Sequence, residues 1–357
     1  MNLRLHIGTF CAALALVFAA GCQRTAVTQD QANAADHYLA GQICVETGNM
    51  ESALEELGRA VQINPSMALA YSKMGDIYQS RGQLQDACTS YEKSVELDPK
   101  NGRDLVHLGD VYQCLNRLAD AVKVYLRALA IQPDDYQAQF ELGTLYYRQN
   151  KLAEAEAAFN HCIKIDSRRP DAYAHLGVVY DAQGRYYDAS RAWRESLEKN
   201  LDQPKVMLNL ATVYLKQGRY VLAAHVLTLA RRSNQADPQV HQNLGACYYQ
   251  LAMEEARKTD EKEPNLPECL RYLELSRKSY RAALDLDRND AKTLSGLGAT
   301  EMVLARNVAD PLQREKYRSE AIECWHRSME LQPNQPEVSA LLRDYAPAQH
   351  VSDMRRP

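Results

Sequence analysis

Nine cysteines and nine histidines are the residues of this 357-residue chain best equipped for chemistry, and their spacing decides which chemistry is open. There is no C-x-x-C and no Cys/His set at zinc-ligand spacing, so neither a redox motif nor a structural metal site is indicated. His107 and His175 share one repeat position two units apart and read as helix-surface histidines. Cys11 and Cys22 lie near the N-terminus, which leaves seven cysteines, an odd number that points to no closed disulfide framework. One or two disulfides stay open in an oxidising compartment. Neither a glycine-rich phosphate loop nor a G-x-S-x-G occurs. The expectation is a protein that is not an enzyme and has no metal and no cofactor. A formal charge of −4 argues against a nucleic-acid partner, which would need a basic face to neutralise phosphates. Aromatic usage is lopsided, with 21 Tyr against 4 Phe, so tyrosine has a fixed structural place.

Cys22 stands apart from the other cysteines. Met1 to His6 carries a single cation, Arg4, and Ile7 to Ala20 is apolar apart from Thr9. The run ends in Ala19-Ala20-Gly21-Cys22. A positive start, a short apolar run and small residues before a cut site read as a secretory signal, too short for a comfortable membrane span. The ending resembles the lipobox of bacterial lipoproteins, with Ala19 where Leu is commonest. That resemblance implies cleavage before Cys22 and acylation of its thiol and amine. The lipid bilayer is then a partner through acylated Cys22, since two or three chains anchor stably where one does not. Gln23, where an inner-membrane lipoprotein carries Asp, leans towards the outer membrane, facing the periplasm. Residues 1–21 are therefore read as signal peptide, and 22–33 as lipidated cysteine and flexible tether.

Self-similarity governs the rest. Tyr78, Tyr112, Tyr146, Tyr180, Tyr214 and Tyr248 recur every 34 residues. Gly41, Gly75, Gly109, Gly143, Gly177 and Gly245 keep the same period, with Ala211 in the missing step, and so do Ala53, Ala87, Ala121, Ala155, Ala189 and Ala223. Met74, Gly75 and Tyr78 share one side of a helix, and Ala87, Tyr91 and Ser94 one side of the next. Small residues let the two axes approach, Gly82 suits the turn between them, and Pro99 ends the pair. Such a hairpin cannot bury its own apolar stripe and must stack on neighbours. The pattern resembles the tetratricopeptide repeat (TPR). The resemblance implies an all-α fold: a right-handed α-solenoid of about eight helix-turn-helix units plus a C-terminal capping helix. Units start near Ala34, Ala68, Gly102, Tyr136, Pro170, Pro204, Pro238 and Ala291, with the cap at about 337–345.

The last two units break the period. Tyr280 takes the second-helix aromatic place 19 residues late, and in the eighth unit Ala321 takes the small-residue place 11 residues late. Asp310-Pro311 reads as an N-cap followed by proline at the first helical position. Longer helix pairs are expected here. The organisation is then 34–235 for six regular units, 236–333 for two elongated ones, and 334–357 for cap and tail.

In the family, first helices line a concave groove that takes peptides or helices of other proteins. Carrying those positions over gives Asp76, Arg103, Asp110, Phe140, Tyr147, Lys205, Asn209, Asn243 and Tyr249 as partner-binding candidates, with Tyr38, Gln79, Gln113, Asp171, Asp181, Lys216 and Gln242 beside them. Tyr38, Ser72, Val106 and Phe140 stand where chaperone-tail readers carry a clamp lysine, so that groove is not expected. Asn209 and Asn243 make a two-rung amide ladder suited to extended backbone. The leading expectation is a membrane-anchored scaffold or adaptor of the bacterial cell envelope that binds other proteins. A narrower version is a pilotin-like assembly factor for pili or secretion pores, or a recruiter of cell-wall enzymes. From another class, an enzyme would need converging titratable groups between about 245 and 330. A third reading is a structural part that stacks on itself.

Overall fold

In the computed structural model the described residues are 29–234, 236–257 and 266–345. The proposed signal, Cys22 and the first part of the tether lie outside them, as do residues 258–265 of the first insertion. Seventeen helices and no strand occur among the described residues. First helices of the pairs are α1 (Gln29–Glu46), α3 (Ala68–Ser80), α5 (Gly102–Cys114), α7 (Tyr136–Arg148), α9 (Pro170–Ala182), α11 (Pro204–Lys216), α13 (Pro238–Arg257) and α15 (Ala291–Asn307). Their second helices are α2 (Met50–Ile63), α4 (Leu84–Leu97), α6 (Leu118–Ile131), α8 (Leu152–Ile165), α10 (Tyr186–Lys199), α12 (Tyr220–Ser233), α14 (Leu266–Leu286) and α16 (Pro311–Leu331). A last helix, α17 (Pro336–Tyr345), follows. Eight helix-turn-helix pairs and a terminal helix are thus present. One boundary differs from expectation. α1 starts at Gln29, not at Ala34, so the end of the stretch read as tether is helical.

The turns explain why regular first helices stop. Gly48, Gly82, Asn116, Asn150, Gly184 and Gly218 occupy one repeat position, and all have positive φ, from 58° to 80°. Only glycine and, at some cost, asparagine enter that region readily. The chain then folds back, and the amide three residues after the helix reaches the carbonyl of the periodic tyrosine: Arg117 N–H donates to Tyr112 O at 2.8 Å and Arg219 N–H to Tyr214 O at 2.8 Å. This is the helix-ending bond pattern of a Schellman turn. The cation in that place also covers the tyrosine ring, with Arg117 4.2 Å from the Tyr112 centroid and Arg185 4.3 Å from that of Tyr180. In the last two pairs the turn position holds Ala252 and Ala305, and both lie inside helix. Alanine is the best helix former, so the helix runs on. α13 has 20 residues and α15 has 17, where α3, α5, α7, α9 and α11 have 13. α14 and α16 reach 21 against the usual 14. In the eighth pair the 11 extra residues are all taken up by helix.

Helix pairs close through glycine. A Cβ placed on Gly75 would lie 2.6 Å from the ring of Tyr91, and one on Gly177 would lie 2.4 Å from Trp193. The ring therefore sits where a side chain would be, and a larger residue would overpack it. Where Ala211 replaces the glycine, the partner position holds the smaller, fully buried Leu227.

The chain divides into two compact units, Met1–Leu145 and Tyr146–Pro357, at a point within α7. In the first, Ala53, Leu57, Ala60, Ala70 and Ile77 form a buried cluster against which Tyr38 and Cys44 pack. Its second buried centre is polar. Asp104 is fully buried and accepts from Ser72 Oγ at 2.8 Å and Ser94 Oγ at 2.5 Å, which ties α3, α4 and α5 together. In the second unit, Ala252, Cys269, Leu273 and Leu304 fill the space between the elongated helices. Met302, Ala321 and Trp325 pack with Val338 of α17, and Leu341, Leu342 and Tyr345 complete that cover. All seven described cysteines are free thiols.

Candidate partner-binding face

In the first unit the candidate face is built by tyrosines that come from behind it. The Tyr91 side chain leaves α4, passes Gly75 and brings its hydroxyl to the first-helix face, 2.8 Å from Asp76 Oδ1 and 3.0 Å from Gln79 Oε1. Arg103 of the next first helix places Nη2 2.8 Å from both Asp76 oxygens, while its Nη1 donates to Ser72 Oγ at 3.3 Å. Burial pushes the Asp76 carboxyl up, but hydrogen bonds from Arg103 and Tyr91 and the charges of Arg103 and Lys73 outweigh it, so the net shift is downward. His107 lies over the Tyr91 ring, with centroids 5.6 Å apart.

One repeat on, the same device has a different balance. Tyr125 donates to Asp110 Oδ1, and Gln113 Nε2 donates to Tyr125 Oη and to Glu141 Oε2, both at 2.9 Å. Among the described residues no arginine closes on Asp110. Burial raises its pKa, the Tyr125 hydrogen bond opposes that, and the nearby Glu141 charge adds to the rise. Phe140 is half-buried, with its ring stacked 6.1 Å from that of Tyr136. Asp76, Arg103 and Asp110 are therefore brought into internal networks. They were expected as open groove groups, but Asp76 and Arg103 join one repeat to the next and Asp110 holds Tyr125 of its own repeat.

The second unit is different. Tyr147 is 36% exposed and Lys205 is exposed. Asp181 holds Lys216 at 3.0 Å, and Asp171 pairs with Arg169 at 2.7 Å. Asn209 on α11 and Asn243 on α13 are half-buried, and neither side chain makes a hydrogen bond among the described residues. Gln242 bonds to Asp290 and to Thr293 Oγ1, the latter at 2.8 Å. Tyr249, expected as an exposed aromatic, is half-buried like Phe140. It packs against the cluster of Ala252 and Leu273, and burial raises its pKa against the pull of Arg306.

Two features escaped the reading of the residues. The tyrosine hydroxyls of the second helices reach the face, and the excess of Tyr over Phe was the available signal. The other is a charge cluster joining α14, α15 and α16. Glu301 is fully buried, and its Oε1 accepts from Arg277 Nε at 2.8 Å and Arg281 Nη2 at 3.1 Å. Arg281 also reaches Glu320 at 2.7 Å. Burial raises the Glu301 pKa, and its Oε2 has no partner among the described residues. These are converging titratable groups inside the span an enzyme would use, and Glu301 at their centre is fully buried.

A family model described as the cilia and flagella-associated protein 70 C-terminal domain matches residues 19–263. Among solved structures, a tetratricopeptide repeat protein from Parabacteroides merdae superposes with a TM-score of 0.51 at 18% identity, covering 75% of this chain and 98% of that one. YrrB, described as a TPR protein with an unusual peptide-binding site, gives 0.49 at 20% identity over 61% of this chain and 97% of that one. PilW, described as a widely conserved type IV pilus biogenesis factor, gives 0.49 at 18% identity over 59% and 98%. At these identities the likeness is one of fold. No curated protein matches the sequence.

Proposed function

The chain belongs to the cilia and flagella-associated protein 70 C-terminal domain family, a tetratricopeptide-repeat family, and from that premise we propose that it is a non-catalytic adaptor that captures an extended segment of another protein on the first-helix face of its second unit. The observation that carries this reading is the contrast in hydrogen-bonding capacity. Asn209 and Asn243 stand one repeat apart with amides that bond to nothing in the described chain. Each side-chain amide offers a donor and an acceptor, the pair an extended backbone needs. Exposed Lys205 and Tyr147 lie on first helices of the same unit and supply a cation and an aromatic edge. In the first unit, Asp76, Arg103 and Asp110 have internal partners that a ligand would have to displace.

A display library of extended peptides selected on the full chain tests this. Selected peptides should bind the Asn209→Ala, Asn243→Ala double variant more weakly by about tenfold, as expected for losing roughly 1–2 kcal/mol of hydrogen bonding. Unchanged affinity would remove the face from consideration. The residues around Cys22 support a place for this adaptor at the outer membrane of a bacterial envelope, held by acyl chains on Cys22 and facing the periplasm. A Cys22→Ala form that still partitions with membranes would defeat the anchor while leaving the adaptor intact.

A further inference from the structure

Between α12, α13 and α14 the second unit has a cavity of about 260 Å³ that is partly open to solvent. Arg231, His241, Tyr248, Lys278 and Ser279 are among its lining residues, and none of the lining residues is acidic. His241 is two positions from Asn243, about 200° round the helix, so the cavity opens on another side of α13 from the amide face. Arg231 and Lys278 are exposed and form no ion pair among the described residues. Ser279 Oγ donates to Leu275 O at 2.8 Å.

The first unit has the corresponding cavity with a net charge of the opposite sign. Between α4, α5 and α6 a space of about 410 Å³ is lined by Glu92, Glu96, Val95, Tyr112, Val124 and one cation, Arg127, among others. Four repeats later the tyrosine is kept as Tyr248. Val95 has become Arg231, Glu96 has become Arg232, and Glu92 has become Thr228. Val124, shifted by the insertion, corresponds to Ser279. Packing does not require this inversion, because one fold accommodates both versions. It changes what the cavity can hold.

We propose that the cavity between α12, α13 and α14 is a binding site for an oxyanion, a carboxylate or a phosphoryl group of side-chain size. The Arg231 guanidinium offers a planar fork to two oxygens, and Lys278 adds a mobile point charge from the neighbouring helix. The site needs no bound peptide on the amide face, so the two readings stand or fall separately.

The test uses the full chain, isotopically labelled for amide NMR, with ionic strength held constant by sodium chloride. Inorganic phosphate and N-acetyl-aspartate are titrated separately. Saturable shifts should gather in the last turn of α12 and in α13 and α14 around the cavity. Saturation by phosphate alone assigns a phosphoryl ligand, and by N-acetyl-aspartate alone a carboxylate. In the Arg231→Gln, Lys278→Gln variant, whose replaced side chains are exposed, affinity should fall by about tenfold or more. Equal affinity of the variant, shifts matched by chloride alone, or no saturation by either anion would each overturn the proposal. Those outcomes leave peptide capture through Asn209 and Asn243 untouched, because the readout contains no peptide.

Discussion

Asp76 and Asp110 occupy the same repeat position, each accepts from a tyrosine, and their acidities are shifted in opposite directions. The difference is one arginine. Arg103 closes on Asp76, whereas Asp110 has Glu141 nearby. Because the folded pKa of Asp76 is lowered, its contribution to stability is complete above the unfolded value near ~3.9 and is lost as pH falls through the folded value. For Asp110 the sign reverses. Its folded pKa is raised, so ionisation costs stability as pH rises past the unfolded value. Asp76→Asn should therefore lower the melting temperature at neutral pH and flatten its acid dependence. Asp110→Asn keeps an acceptor for Tyr125, and should be neutral or stabilising at neutral pH while steepening the loss in acid. Thermal denaturation followed between about pH 3 and 7 checks both, and parallel curves for the two variants would contradict the assignment. At this scale the sequence was legible in part. The excess of tyrosine announced a fixed role, but the hydroxyl destinations depend on a ring passing a glycine and meeting a carboxylate on another helix.

At the scale of elements, one backbone position decides whether a first helix stops or continues. Gly218, with φ of 71°, ends α11, while Ala252 and Ala305 at the corresponding places let α13 and α15 run on. Gly218→Ala should destabilise the chain by about 1–2 kcal/mol through the left-handed conformation alone, since nothing lies within 4 Å of a Cβ added there. Chemical denaturation of the variant measures it, and an unchanged midpoint would show that the turn relaxes without cost. Helix starts and the Gly82 turn were readable because they depend on local chemistry: a proline at Pro170 or Pro204, a glycine at the turn, a proline after the pair. The start of α1 was misread because Gln29 to Asn33 lack apolar periodicity. A polar first turn can still be helical when the turns after it are held by packing. The cluster of Glu301, Arg277, Arg281 and Glu320 was not readable at all, since its members come from three helices.

For the molecule as a whole, each pair covers the apolar stripe of its neighbour, so the last pair needs a cover of its own. Val338 of α17 packs with Trp325 and Met302, and the Tyr345 ring lies 6.2 Å from that of Trp325. Removing the chain from residue 334 onward should expose this surface, lower stability by several kcal/mol at about 1.5–3 kcal/mol per large apolar side chain, and promote self-association. Light scattering and thermal denaturation of the truncated chain test this, and an unaltered monomer of equal stability would contradict it. The 34-residue period by itself determined the fold class, the number of pairs and the lengthening of the last two, because every pair must solve the same close-approach problem with residues near in sequence. Which polar groups stay available to a partner was decided only by tertiary structure. Asp76 and Arg103, like Asp181 and Lys216, are neighbours only because consecutive first helices stand side by side. Asp76 and Asp181 each meet a cation from the next first helix, whereas Asn209 and Asn243 meet no such partner among the described residues.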